Sequence, residues 1–484
     1  MTGETASVDT KIEDDSQVTL VVDLDGTFCR TDTLHEALLA GVVKRPFDVF
    51  RWPGWLGEGR AGFKARVADA GVMAAEDLPF NAAVLETIRT AREVGRRTAL
   101  VSAADHRQVT AIAEATGIFD EAFGSAEGKN LKGDEKAAFL NAHYGAGMFD
   151  YMGDSRADLP VWTSARHAIT VHADPKLRQM AEAANTRVSH IDPPRNTGLA
   201  MLKALRPHQW SKNLLLFLPM FAAHDLSNLA SVVLGFCAFC LTASAVYVVN
   251  DLFDLAADRA HPRKSKRPFA AGDLSAATGL VMAAGLLIVA LLLGILTGQR
   301  MFLVVLSLYL ITTFLYSLYL KRKLLVDVLT LAGLYTLRIL AGGAAAAVVF
   351  SPWMLGFSMF LFLSLAAVKR QAELVDLENT GRESLGRAYL VEDLPIIRAM
   401  AMSAGHAAVL VLALYISSDD VQQLYAQPAY LWLICPLLLY WSTRMLMKTH
   451  RGAMTDDPIV FAVTDRVSLA LGVASAVVVL AAAF

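Results

Sequence analysis

At 484 residues the chain exceeds what one compact core holds, and two domains are expected. Its formal net charge of −2 divides into −7 over residues 1–200 and +5 over residues 201–484, so an acidic soluble half and a basic membrane half are expected and the whole-chain charge says nothing about partners; no nucleic-acid partner is expected. The four cysteines, Cys29, Cys237, Cys240 and Cys435, follow no metal or disulfide spacing and are expected as free thiols.

Residues 1–17 read as a polar, acidic tail without an apolar signal core, which predicts that the first half stays in the cytosol. Residues 18–28, VTLVVDLDGTF, run an apolar strand straight into Asp23 and Asp25, at the C-terminal strand end where open α/β sheets bind ligands. Two carboxylates at i, i+2 can divide labour between a nucleophile and an acid/base, or hold a metal without chemistry. Residues 33–92 are mostly helical in pattern. The apolar strand RTALVSA ends at Ser102, whose hydroxyl can donate to a phosphate oxygen or only close the strand. NLKGDEKAAFL places Lys136 at a helix start, where it can neutralise phosphoryl charge, with Lys132 as its rival. A third strand ends as FDYMGDSRADLPVW, giving Asp154 and Asp158, which with Asp23 make an oxygen-rich site suited to Mg²⁺.

The order D-x-D, Ser, Lys, GDSxxD, each after a strand, resembles the haloacid dehalogenase phosphatase superfamily over about residues 18–175. The resemblance implies a Rossmann-like α/β fold over 18–190, with Asp23 as nucleophile and Asp25 as acid/base. It also implies Mg²⁺ on Asp23, the backbone carbonyl of Asp25, and Asp154, supported by Asp158. Residues 33–92 lie between the first and second of these motifs, where the resemblance implies a cap. A linker follows over 191–205, where Pro193-Pro194 break helix before a short amphipathic helix.

The remainder, 206–484, is expected as an all-α polytopic membrane domain. Nine spans are predicted: a short one at 212–224, then 229–249, 277–297, 301–320, 324–348, 350–368, 394–417, 426–446 and 467–484. With the N-terminus inside, seventeen basic residues fall in cytosolic loops and one, Arg300, falls outside. That asymmetry predicts a multi-pass protein of the inner (plasma) membrane with its first domain cytosolic.

At the cytosolic end of a span, VNDLFDLAADRAHPRKSKRPFAAG places Asn250, Asp254 and Asp258 at i, i+4, i+8. On one helix these three share a face and fit Mg²⁺ carrying a diphosphate, whereas Asp251 points about 100° away. Lys264 and Arg267 in the basic stretch are the expected phosphate grips. Arg338 sits near the middle of a span, where a charge is costly and usually functional; its alternative is a structural partner to a helix carbonyl or to Asp327. His406 is expected as a core histidine.

The N-D-x-x-D-x-x-x-D run resembles the UbiA superfamily of intramembrane transferases, which implies nine helices and Mg²⁺-diphosphate binding. Where that superfamily carries a second DxxxD cluster, this chain has Lys369, Arg370, Glu373 and Asp376. The stretches RPHQWSKNLLLFLP (with Lys212 and Asn213), YSLYLKRK (with Tyr316 and Lys321), VKRxxEL and HRGAMTDDPIVFAVTDRVS resemble the decaprenyl-phosphate phosphoribosyltransferase branch. Tyr316 and Lys321 stand five apart, where many relatives have four. The implied substrates are phosphoribosyl diphosphate and a polyprenyl phosphate, with Lys212, Asn213, Tyr316, Lys321, Arg338, Lys369 and Arg370 as substrate-binding residues. The expectation is a bifunctional enzyme whose phosphatase half removes the product's 5-phosphate. Prenyl transfer from a prenyl diphosphate is the alternative, a lipid or ion transporter is a third reading, and homo-oligomerisation is left open.

Overall fold

The computed structural model describes residues 17–484 except 58–61, 65, 68–74, 76–77, 127–128, 193–195, 350, 381–387 and 455–456. The tail up to Ser16, the Pro193-Pro194 break, and Arg382 and Arg387 lie outside the described residues. The chain divides into two units, residues 1–204 with 251–281, and residues 205–250 with 282–484.

The first unit is built on a six-stranded sheet: β1 (Thr19–Val22), β2 (Thr98–Asp105), β3 (Glu121–Ser125), β4 (Phe149–Gly153), β5 (His167–Val171) and β6 (Val188–Ile191). Their order is β3-β2-β1-β4-β5-β6 and every pairing is parallel. Central β1 reads as a continuous apolar run because both its faces are covered. Leu20 and Val22 face one core layer with Leu100, while Val21 faces the other with Phe149 and Tyr151. Burying each such aliphatic side chain contributes about 1.5–3 kcal/mol.

After β1 comes helix α1 (Thr33–Lys44), N-capped by Asp32, whose carboxylate accepts the His35 amide. Helix α2 (Ala82–Glu93) sets Val84, Ile88 and Ala91 on one face, buried against the β1–β2 side of the sheet. The expected cap over 33–92 is therefore shortened: its last stretch is a flanking layer of the sheet. The 3.6-residue spacing of those three apolar positions is the reason. Helix α3 (Asp134–Tyr144) lies on the opposite core layer through Ala137 and Leu140.

Eight helices among the described residues are long and apolar enough to cross a membrane, from Leu229–Phe253 to Arg466–Ala483. The first of the nine expected spans, 212–224, is not among these eight. Residues Pro207–Phe217 form a 3-10 helix, followed by a short α-helix, Leu218–Ala222. The tight winding brings backbone close to a neighbour: a Cβ on Gly342 would fall 2.0 Å from the Leu216 carbonyl oxygen. Only glycine leaves room there.

Candidate active sites

The carboxylates of the first unit meet at the C-terminal edge of the sheet. Asp23 directly follows β1, and its amide donates to Met152 O of β4 at 3.0 Å. The chain then turns at Gly26, with φ +79°, and a Cβ there would strike Asp154 Oδ2 at 2.0 Å. Glycine thus lets the first loop close over the carboxylate of the last one. Asp23, Asp154 and Asp158 bring ligand oxygens within 4.8 Å of one another, the one such three-residue group among the described residues.

Lys136, in the first turn of α3, is buried and donates from Nζ to Asp23 Oδ1 at 2.8 Å and to Tyr151 Oη at 2.8 Å. Tyr151 in turn donates to Asp158 Oδ1 at 2.8 Å, and Asp158 Oδ2 accepts from the amides of Asp154 and Ser155 and from Ser155 Oγ. Asp158 is therefore held by its own loop and by Tyr151 of β4, while Asp154 lies against Gly26. Asp25 accepts the Thr33 amide at 2.7 Å. Ser102 is buried inside β2 and its Oγ accepts the Ala104 amide at 3.1 Å. Lys132 is exposed, unlike Lys136.

Burial, with Asp158 adding to it and Lys136 opposing, pushes the Asp23 carboxyl up to about 6. Burial and then Asp32 push Asp25 up to about 7. Asp154 is raised well above the usual carboxylate range by burial and by Asp23 and Asp158. Burial disfavours the Lys136 charge, yet Asp23 and Asp158 outweigh it and raise its pKa. These crowded carboxylates share a single buried lysine, and that excess of oxygen donors fits a divalent cation such as Mg²⁺. Tyr151 escaped the sequence reading; its signal was a polar-tipped aromatic among the buried residues of β4.

The diphosphate motif departs from a single helix face. Helix α4 (Leu229–Phe253) ends before Asp254, which sits at φ −100°, ψ 14°, and caps a separate short helix α5 (Leu255–Arg259). The amide of Asp258 still bonds Asp254 O at 2.8 Å, so the second step of the i, i+4, i+8 series survives and the first does not. Asn250 Oδ1 is buried with no hydrogen-bond partner among the described residues, as an oxygen ready to ligate a metal would be. Arg267 donates to Asp258 at 2.6 Å and to Asp251 at 3.2 Å, so Asp251, set aside on helical phase, shares a partner with Asp258. Lys264 is exposed on a 3-10 turn.

In the second unit Arg338 lies on helix α6 (Val326–Ala346) and uses its whole fork. It donates to Asn213 Oδ1 at 2.9 Å, Leu334 O at 2.6 Å and Tyr309 Oη at 3.1 Å, amid the rings of Phe239, Tyr309 and Tyr335. Asp327 is not its partner. Eleven residues of α-helix separate the two by ~16 Å, and Asp327 instead binds Arg370 and the Tyr389 hydroxyl. Arg370 and Lys369 lie on helix α7 (Pro352–Thr380), and Arg370 also pairs with Glu373. Lys212 pairs with Asp457. Tyr316 lies in the last turn of the helix Arg300–Leu318, and Lys321 follows on a 3-10 turn. His406, expected in the core, is exposed.

A parallel sheet with carboxylates at its C-terminal edge, joined in one chain to eight apolar helices, is the make-up of a multi-pass membrane enzyme. Residues 214–461 match the UbiA prenyltransferase family and residues 20–162 match the haloacid dehalogenase-like hydrolases. The chain belongs to the UbiA prenyltransferase family, with a haloacid dehalogenase-like domain in front. It is 38% identical over 470 residues to protein y4nM of Sinorhizobium fredii, covering 95% of this chain and 90% of that one. It is 34% identical to decaprenyl-phosphate phosphoribosyltransferase of Corynebacterium glutamicum, over 50% of this chain and 76% of that one. The Mycolicibacterium smegmatis protein of the same name is 32% identical over 57% and 89%. A UbiA homolog from Archaeoglobus fulgidus bound to DMAPP and Mg²⁺ superposes with TM-score 0.46 at 16% identity, over 58% of this chain and 96% of that one.

Proposed function

We propose that the membrane domain transfers the 5-phosphoribosyl group of phosphoribosyl diphosphate to a polyprenyl phosphate, and that the soluble domain then removes the 5-phosphate. The observation that carries this reading is Arg370. Where the superfamily's second cluster would place carboxylates to clamp a prenyl diphosphate, this chain places Lys369 and Arg370, and Arg370 is bound to both Asp327 and Glu373. The likeness to two decaprenyl-phosphate phosphoribosyltransferases supports the same donor and acceptor.

In the transfer, an oxygen of the lipid phosphate attacks C1 of the ribose and diphosphate departs. The nucleophile is already an anion, so no general base is required. Asn250, Asp254 and Asp258 would hold Mg²⁺ at the leaving diphosphate, as Asp23 and Asp154 with the Asp25 carbonyl would at the phosphomonoester, and the ion would supply charge neutralisation for phosphoryl oxygens there. Lys264 and Arg267 face the diphosphate, and Lys212, Asn213, Tyr316, Lys321 and Lys369 the lipid phosphate; Arg338 holds Asn213 in place. In the hydrolysis, Asp23 attacks phosphorus while Asp25 protonates the departing ribose oxygen. Water then cleaves the aspartyl phosphate with Asp25 as base. Lys136 steadies Asp23, and Ser102 takes a phosphate oxygen.

Asp23→Asn tests the pairing. It should still consume phosphoribosyl diphosphate and accumulate lipid that keeps the 5-phosphate, while the unmodified enzyme yields mostly polyprenyl-phosphoryl-ribose; mass spectrometry separates the two. The same phosphorylated lipid from both would leave the phosphatase without this role. The family's prenyltransferase description favours a second reading, prenyl transfer, and turnover of a labelled prenyl diphosphate in place of phosphoribosyl diphosphate would establish it. Both domains face the cytosol in our reading. Single cysteines in the 418–427 loop should react with an impermeant thiol reagent on intact cells, and those near Lys264 should not.

A further inference from the structure

The segment that carries Asp254 and Asp258 belongs to the same compact unit as the phosphatase sheet. Two arginine clamps of opposite direction hold it there. From the segment, Arg259 donates through both terminal nitrogens to the two carboxylate oxygens of Glu36 on α1, at 2.7 and 2.6 Å, and through Nε to Ala270 O at 3.0 Å. From the phosphatase side, Arg30 donates to Ala271 O at 3.0 Å and to Asp273 Oδ1 at 2.8 Å. Between them Gly272 turns at φ +72°, and a Cβ there would come 2.8 Å from Arg30 Cβ and 3.1 Å from Pro79 Cγ.

The Glu36–Arg259 pair has side chains only 2% and 8% exposed. A two-pronged pair removed from water fixes orientation as well as distance. Arg259 adjoins Asp258, whose side chain is held from the other end by Arg267. Asp258 is thus constrained through its backbone by one pair and through its carboxylate by another.

We infer that Glu36 is a positioning residue for the diphosphate motif: the phosphatase fold, apart from its chemistry, sets the geometry of Asp258 for the transferase. This rests on the reading that Asp254 and Asp258 serve the leaving diphosphate. Glu36 itself is no part of the hydrolytic machinery. Substituting Gln keeps its shape and removes the charge that Arg259 requires.

The test uses the full-length protein in detergent or nanodiscs. Glu36→Gln should raise the KM for phosphoribosyl diphosphate, measured with Mg²⁺ present, by about tenfold, with kcat changed less than about threefold. Hydrolysis of p-nitrophenyl phosphate should stay within about twofold. Tryptic cleavage after Arg259, Arg263 or Lys264, mapped by mass spectrometry, should accelerate several-fold. Unchanged KM and unchanged cleavage would overturn the inference, as would a fall in kcat alone. If the unmodified protein forms no lipid product, the transferase reading fails, and the cleavage rates decide the clamp by themselves. Should Glu36→Gln not accumulate folded, Arg30→Gln, at the more exposed pair with Asp273, puts the same question with the same outcomes.

Discussion

Lys136 Nζ lies 2.8 Å from Asp23 Oδ1, both groups buried, and it is the one cation bonded to that carboxylate among the described residues. The same ammonium is 3.7 Å from Asp158 Oδ1. Removing it leaves two carboxylates facing each other without a counter-charge. Lys136→Met should therefore abolish hydrolysis of p-nitrophenyl phosphate and cost about 3–5 kcal/mol of stability. The measurements are hydrolysis and denaturant unfolding of the soluble domain within the full chain. Retained hydrolysis would return the lysine role to Lys132.

Metal should stabilise the same edge. At a concentration of 100 times its Kd, Mg²⁺ adds about 2.7 kcal/mol to the folded state. Added Mg²⁺ should raise the temperature at which the phosphatase domain becomes protease-sensitive, and chelation should reverse the gain. Asp154→Asn should remove most of the response. Gly26→Ala should do so as well, because its methyl group would displace Asp154. A full Mg²⁺ response in both variants would move the cation elsewhere.

The pH dependence of stability on the acid side should have a separate source. Asp150 in β4 is 1% exposed and bonds Arg96 at 2.7 Å and Arg166 at 2.8 Å. Burial alone would raise its pKa, but Arg166 and Arg96 outweigh burial and hold it below the usual range. A depressed folded pKa gives stability that is present above the unfolded value of about 3.9. That stability is lost as pH falls through the folded value. Asp150→Asn should cost about 3 kcal/mol at pH 7 and flatten the pH dependence of unfolding below about pH 4. An unchanged acid limb would show that Asp150 does not control it.

Arg338→Lys keeps the charge within the span but cannot reproduce a fork that reaches Asn213, Leu334 and Tyr309 together. Two hydrogen bonds lost at about 1 kcal/mol each predict a drop in lipid-product formation of at least tenfold, with the protein still folded by size-exclusion chromatography. Full activity would reduce Arg338 to a residue that only satisfies its own charge.

The phosphatase edge was legible because each of its groups follows a strand, and a parallel sheet gathers its strand ends at one edge. Asp23, Lys136, Asp154 and Asp158 meet for that reason. Tyr151 was not legible, since its value arises from the α3 lysine on one side and the β4 loop on the other. The membrane motif misled through its periodicity: spacing of four predicts one face only while the helix continues, and at Asp254 it does not. The first expected span is wound as a 3-10 helix and a short α-helix, which apolar content alone does not reveal. The pairing of Asp327 with Arg370 is a contact between α6 and α7, and nothing local to either residue announces it.

The placement of residues 251–281 with the sheet bears on how this chain can be divided. A cut after residue 204 looks natural on the linear map, yet it parts Arg259 from Glu36 and Arg30 from Asp273. Two separately expressed halves would each carry one member of a formerly buried ion pair, and the membrane piece would keep its carboxylates on a segment with half its fastenings gone. Mixing the pieces should restore function only if α1 finds that segment again in trans. In this protein the covalent linker and the physical seam fall at different places.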